Sequence, residues 1–143
     1  LEYFFPNLQL TKKLTQWISV LLLIISASVF ATNLDRIYTA ASFGLFALLM
    51  IFQIFYQWEY ARKFYISFVL IYVPFFFVNS ALTGSYSENP VVFYDNNENL
   101  GIRVGTMPLE DSFYCFSMLY GSVLLFEYFR RKWNYSLSMS VKS

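Results

Sequence analysis

The sequence predicts an all-α membrane protein with about four transmembrane helices and a long extramembrane loop between the third and fourth. Three observations carry that expectation. Apolar residues make up 57% of the 143, while charged residues make up only 13%, about half the usual share for a globular chain. Four apolar runs reach the ~20 residues that a helix needs to cross a bilayer. The charges between those runs also alternate in sign from one connection to the next.

The first run is Leu14 to Ala31, the second Ile37 to Trp58, the third Phe64 to Leu82, and the fourth Leu109 to Phe129. Small residues (Ser26, Ala27 and Ser28 on the first; Ala40, Ala41 and Gly44 on the second) are expected to let helices approach closely. Lys12 and Lys13 precede the first run, Arg62 and Lys63 join the second to the third, and Arg130, Arg131, Lys132 and Lys142 follow the fourth. That side collects eight of the ten basic residues, leaving Arg36 and Arg103 with most of the acids on the other. Basic residues favour the cytoplasmic face, so both ends are expected there. Trp17, Tyr38, Trp58, Tyr60 and Trp133 fall near run ends, where an aromatic belt would sit.

Residues 1–132 read as one membrane domain and 133–143 as a polar tail. The opening "LEYFFPNLQL" lacks the basic start, apolar core and cleavage site of a signal peptide, and reads as the middle of a longer chain. The connection from Thr83 to Met107 carries three Gly, four Asn and the apolar stretch Val91–Tyr94. Connections of that length are usually functional or disordered, and the apolar stretch favours a lid or re-entrant cap.

A net charge of +1 gives no argument for a nucleic-acid partner. The chain has no His, which removes the commonest metal ligand and general base; no metal site is read. Cys115 stands alone in an apolar helix pattern and reads as a buried, inert thiol. There is no phosphate-binding glycine loop, no dinucleotide fingerprint and no nucleophile elbow. Aspartate-rich motifs for diphosphate chemistry are absent as well.

The residues left to carry chemistry surround "MPLEDSFYCF". Pro108 suits the first turn of a helix, which places Glu110 and Asp111 in that turn as well. There the helix dipole would stabilise one acid, so a plain helix start is one reading. A second acid exceeds that need. Adjacent carboxylates repel and lipid disfavours charge, so one of the pair is expected to keep its proton. A protonated acid in an apolar cleft is what a proton donor to a hydrocarbon requires. Glu110, Phe113, Tyr114, Ser117 and Gly121 share one helical face, with Asp111 leaning toward Tyr114, Cys115 and Met118. Asn79, beyond Pro74 on the third helix, must point inward, either gluing helices together or orienting Glu110. Arg103 is expected to pair with a carboxylate of the Glu110–Asp111 pair or with a loop acid. Glu127 and Arg131 form an i,i+4 pair read as structural.

"PFFFVNSALTG", "ENPVVFYDNNENLGIRVGTMPLEDSFYCF" and "LLFEYFRR" together resemble the second half of the lycopene cyclase domain, the heterodimeric or fused membrane carotenoid cyclases. That family's mark is Pro-x-Glu-(Glu/Asp) at the start of a membrane helix, here Pro108 to Asp111. The resemblance spans roughly residues 1–132. It implies a cofactor-independent intramolecular lyase (isomerase) of carotenoid biosynthesis that acts on lycopene or a related linear carotene. Glu110 would be the acid or its immediate partner, supported by Asp111, and Phe113, Tyr114 and Phe116 would stabilise the cation. Pro108, Arg103 and Asn79 would support the site. It also implies a bacterial inner-membrane location and a second, related half as partner. A hydratase of carotenoid end groups and a non-catalytic membrane subunit are the rival readings. A small transporter is disfavoured, because spans one and two carry ionisable residues only near their ends.

Overall fold

The computed structural model describes residues 8–56, 59–86 and 90–140, with side chains through Trp133. Trp58, Glu88 and Lys142, each given a place in the sequence reading, lie outside the described residues. Four helices dominate: α1 (Lys12–Thr32), α2 (Ile37–Tyr56), α3 (Glu59–Leu82) and α4 (Leu109–Ser140). A two-residue antiparallel hairpin, β1 (Arg103–Val104) and β2 (Met107–Pro108), stands just before α4. Gly105 takes φ +68° in its turn, a left-handed conformation that a residue with Cβ adopts only with strain.

Helices α1, α2 and α3 are each long and apolar enough to cross a membrane, which ties the chain to a lipid environment. Helix α4 is long enough but less apolar, with Glu110 and Asp111 in its first turn and Glu127 farther along. It continues past Phe129 to Ser140, so residues expected to form a polar tail extend the helix. Pro108 is the last residue of β2 and stands immediately before α4 rather than inside its first turn. Thr11 caps α1, its hydroxyl accepting from the Leu14 N–H at 3.3 Å, and α3 runs on through Pro74.

The alternation of charges in sequence becomes two ends in space. At one end, the Arg62 guanidinium donates to the Leu10 carbonyl (2.7 Å) and Arg130 donates to the Tyr60 hydroxyl (3.2 Å). The start of α1, the α2–α3 junction and the later part of α4 are thereby gathered together. Glu127 accepts from Arg130 at 2.6 Å, one residue short of the expected Arg131, whose guanidinium lies over the Tyr60 ring. At the opposite end, residues 94–102 fold over the first turns of α2 and α4.

Between the ends, α1 packs along α2 and α2 along α4, while α3 touches α4 more sparsely. Of the small residues, Ser26 is fully buried and Gly44 lets the Phe30 ring approach to where a Cβ would be 3.0 Å away. Ala27, Ser28 and Ala41 face outward. The core is aromatic. Phe116 has the rings of Phe46, Phe64 and Phe68 at 4.9–5.0 Å, in the tilted and edge-on geometries that ring quadrupoles favour. Cys115, next to Phe116 in sequence, is buried and free.

Two polar pairs cross this core, while the buried Ser42 and Ser80 hydroxyls find no partner among the described residues. Ser19 and Tyr65 share a 2.9 Å hydrogen bond, and the Tyr120 hydroxyl donates to the Gln53 side-chain carbonyl, with both residues nearly inaccessible. Tyr120→Phe would keep the ring but strand the Gln53 oxygen, which typically costs ~1–3 kcal/mol. Thermal unfolding in detergent is expected to show that loss. A transition as stable as the parent's would mean that Gln53 finds another donor.

Candidate active site

The site is a meeting of two helix starts under a folded strap. Helix α2 begins where Glu98, from the connection, caps it. The Ile37 N–H donates to the Glu98 carboxylate (3.2 Å), and the Tyr38 and Thr39 N–H groups donate to the Glu98 carbonyl (3.1 and 3.3 Å). Helix starts leave such N–H groups unsatisfied, so this cap locks the strap to α2. Arg36 reinforces it by donating to the Asn99 carbonyl (2.7 Å), and buried Asn99 accepts from the Gly101 N–H (2.7 Å). Helix α4 begins where the Leu109 N–H donates to the Ile102 carbonyl (3.0 Å). The two starts meet with adjacent side chains in opposite order, Tyr38 at Asp111 and Thr39 at Glu110.

Glu110 is 0% exposed. Its Oε1 accepts from the Thr39 hydroxyl and from the Leu100 N–H, each at 2.7 Å, while Oε2 has no hydrogen-bond partner among the described residues. A carbonyl-type oxygen has two lone pairs, and here both are engaged.

Asp111, 4% exposed, is surrounded differently. Its Oδ1 accepts from the Tyr38 hydroxyl, and its Oδ2 accepts from Asn79 Nδ2 (2.6 Å) and the Tyr94 hydroxyl (2.8 Å). Three donors converging on a group that can only accept make a cradle for a carboxylate. Both acids bind partners from other elements instead of serving only their own helix start. That geometry outweighs the plain capping reading.

Asn79 joins α3 to α4 by donating to Asp111, one of its two expected roles, and does not reach Glu110. Two expectations need correction. Arg103 pairs with no carboxylate of the motif; its guanidinium donates to the Thr106 carbonyl and to Asn96 Oδ1, both at 2.8 Å, and staples the hairpin to the strap. Tyr114 is 45% exposed on the outer face of α4, whereas Phe113 and Phe116 turn inward, Phe113 against Phe43 at 4.4 Å. The helical pitch separates residues 113 and 114 by about 100°, enough to send one in and the other out.

Thr39, Tyr94, Glu98 and Leu100 were not legible as site residues, and Tyr38 read only as part of an aromatic belt. Each meets its partner through the fold, as Thr39 does with Glu110 and Tyr38 with Asp111. The one available signal was Val91–Tyr94, an apolar stretch within a polar connection. Its Val91 and Phe93 are exposed while Val92 and Tyr94 are half-buried, the Tyr94 ring 5.6 Å from that of Tyr38.

Burial, then the bond donated to Asp111 and that carboxylate's charge, push the Tyr94 hydroxyl up to about 12. A group raised above its unfolded value contributes stability that is full below the ordinary tyrosine value, near 10, and is lost as pH climbs through 12. Ultraviolet difference titration of the parent against Tyr94→Phe is expected to show a late-ionising tyrosine in the parent alone. A parent-minus-variant curve centred near 10 would dissolve the Tyr94–Asp111 bond as a feature of the solution state.

Beside this cluster, an open apolar cavity of about 570 Å³ runs between the four helices, lined by Leu22, Phe46, Phe68, Phe113 and Phe116. Ser112, which shares a 2.6 Å hydrogen bond with Tyr72, also lines it, next in sequence to Asp111; neither carboxylate does. Among the described residues no three His, Cys, Asp or Glu side chains converge to hold a metal ion.

A family model described as "Lycopene cyclase" matches residues 35–129. That stretch contains both carboxylates and every side chain that hydrogen-bonds to them. No curated protein and no solved structure matches the chain.

Proposed function

The chain belongs to the lycopene cyclase family, and from that premise we propose that it is the acid-bearing half of a lycopene β-cyclase, an intramolecular lyase. The observation that carries the proposal is Glu110: a fully buried carboxyl with Oε1 held by two donors and Oε2 unpartnered, beside an aromatic cavity. Glu110 delivers a proton from Oε2 to the terminal double bond of a linear carotene, leaving a tertiary cation. The neighbouring alkene attacks that cation and closes the ring. A base then removes a proton from the adjacent carbon, so one proton enters, one leaves and the substrate's formula is unchanged. Asp111, held by three donors, supplies the fixed negative charge that steadies the cation, and the ring faces of Phe113 and Phe116 add to it.

In this reading α4 also crosses the bilayer, the 83–108 connection lies outside it, and both basic ends face the cytoplasm of a bacterial inner membrane. A related partner half completes the site. Support for the partner comes from the carboxylates themselves, which lie under the strap and apart from the cavity walls. The same observation favours one second reading, a non-catalytic subunit that packs against a catalytic half.

The test is co-expression of this chain with a first half of the same family in lycopene-producing cells, with pigments read by chromatography. Expected products are β-carotene or γ-carotene. Unchanged lycopene from an assembled, membrane-inserted pair would overturn the proposal. A hydroxylated acyclic product would identify a hydratase, with water capturing the same cation.

A further inference from the structure

At the end of the bundle away from the carboxylates, a second cavity of about 510 Å³ lies between α3 and α4. It follows α3 from Tyr60 to Ile71, eleven helical steps, or roughly 16 Å. Its lining changes character along that length. Phe64, Ile71, Leu119 and Val123 form an apolar floor toward mid-helix, whereas Lys63, Arg130 and Glu127 stand at the mouth with the Tyr60 and Ser67 side chains.

The charges at the mouth do not balance. Glu127 is 9% exposed at its side chain and already engages Arg130 at 2.6 Å, while the Arg130 side chain is half exposed. Arg131 sits over the Tyr60 ring at 5.7 Å. Of the side chains that line the groove, Lys63 and Arg130 are basic and Glu127 is acidic, an excess of one positive charge. A groove that is cationic at the helix ends and apolar toward their middles has the polarity profile of a phospholipid standing in a leaflet. It also needs an anionic headgroup.

We propose that this groove is a binding site for one anionic phospholipid, its phosphate at Lys63 and Arg130 and its acyl chain along Phe64, Leu119 and Val123. The sparse contact between α3 and α4 is the space the chain occupies. The site is separate from the carboxylate cluster and independent of the proposed cyclisation.

The experiment places the chain in nanodiscs of equal parts phosphatidylglycerol and phosphatidylcholine and counts retained lipids by native mass spectrometry. The parent is expected to retain phosphatidylglycerol with a preference of about fivefold, the factor worth roughly one basic side chain near an anionic headgroup. Lys63→Gln, which removes a charge at the mouth, and Val123→Trp, which fills the floor, are each expected to bring the preference to parity. Lys12→Gln/Lys13→Gln, basic residues of the same end but outside the groove, is expected to leave it intact. Parity in the parent would overturn the site, as would a preference that survives both groove variants or disappears in the Lys12/Lys13 control. Displacement of the lipid by inorganic phosphate alone would reduce it to a free-anion site. A second copy of the chain retained in place of lipid would make the groove a protein interface.

Discussion

Glu110→Gln is expected to abolish ring closure, by at least the ~10²-fold typical of removing a general acid, while leaving the chain folded. The asymmetry of the side chain's partners is the reason. A glutamine carbonyl can take the place of Oε1 and still accept from the Thr39 hydroxyl and the Leu100 N–H. Its amide nitrogen then occupies the place of Oε2, where the wild-type carboxyl has no partner to lose. The stability change is therefore expected within about 1 kcal/mol, the net worth of a single hydrogen bond. Pigments from cells that make the partner half and this variant should show lycopene alone, with membrane levels matching the parent. Cyclised pigment at parental levels would remove Glu110 from the chemistry and favour the subunit that only packs.

Asp111→Leu is expected to fail in the opposite way, by unfolding the site. Leucine has the same branched shape, though larger, but accepts no hydrogen bond, so Tyr38, Asn79 and Tyr94 all lose their acceptor. Tyr94 belongs to the connection and can turn outward, but Asn79 and Tyr38 are held by α3 and α2. Two stranded donors at ~1–3 kcal/mol each put the loss at about 3 kcal/mol, a large share of a small protein's stability. Asp111→Asn should fall between, since it keeps an acceptor while turning an N–H₂ toward groups that are themselves donors. Thermal unfolding in detergent, with protease protection of the 94–102 strap, would register the series parent, Asn, Leu. Equal stability across it would mean that the three donors bind water as readily as they bind Asp111. The paired result separates the roles: chemistry lost with the fold kept at Glu110, and the fold lost first at Asp111.

Much of this molecule was legible in one dimension because lipid simplifies the reading. A bilayer demands long apolar helices, so the starts of α2 and α4 and the end of α3 could be read directly from composition. The acidic pair at the head of α4 was conspicuous because carboxylates are rare beside so much hydrocarbon. The apolarity of α4 was harder to judge, since Ser and Tyr hydroxyls and three acids dilute a helix whose inward face is densely aromatic.

The donors to the two carboxylates were hidden for a different reason. Tyr38 and Thr39 look like the unremarked start of a spanning helix, and Glu98 looks like one loop acid among several. They acquire roles only when the connection folds back and Glu98 caps α2, bringing residues some seventy positions apart to hydrogen-bond distance. Arg103 shows the converse. Its charge suggested an acid partner, but the short hairpin around Gly105 directs it to the Thr106 carbonyl instead.

The sequence by itself determined the membrane character, the helices, the family likeness and the two acids, because each is written in local composition or in contiguous residues. Only the tertiary structure decided that the acids are unlike: one is cradled by three donors, and the other keeps an oxygen without a partner. That distinction depends on hydrogen bonds, which have direction and a reach of about 3 Å, and their donors come from α2, α3 and the strap. No spacing along the chain encodes it.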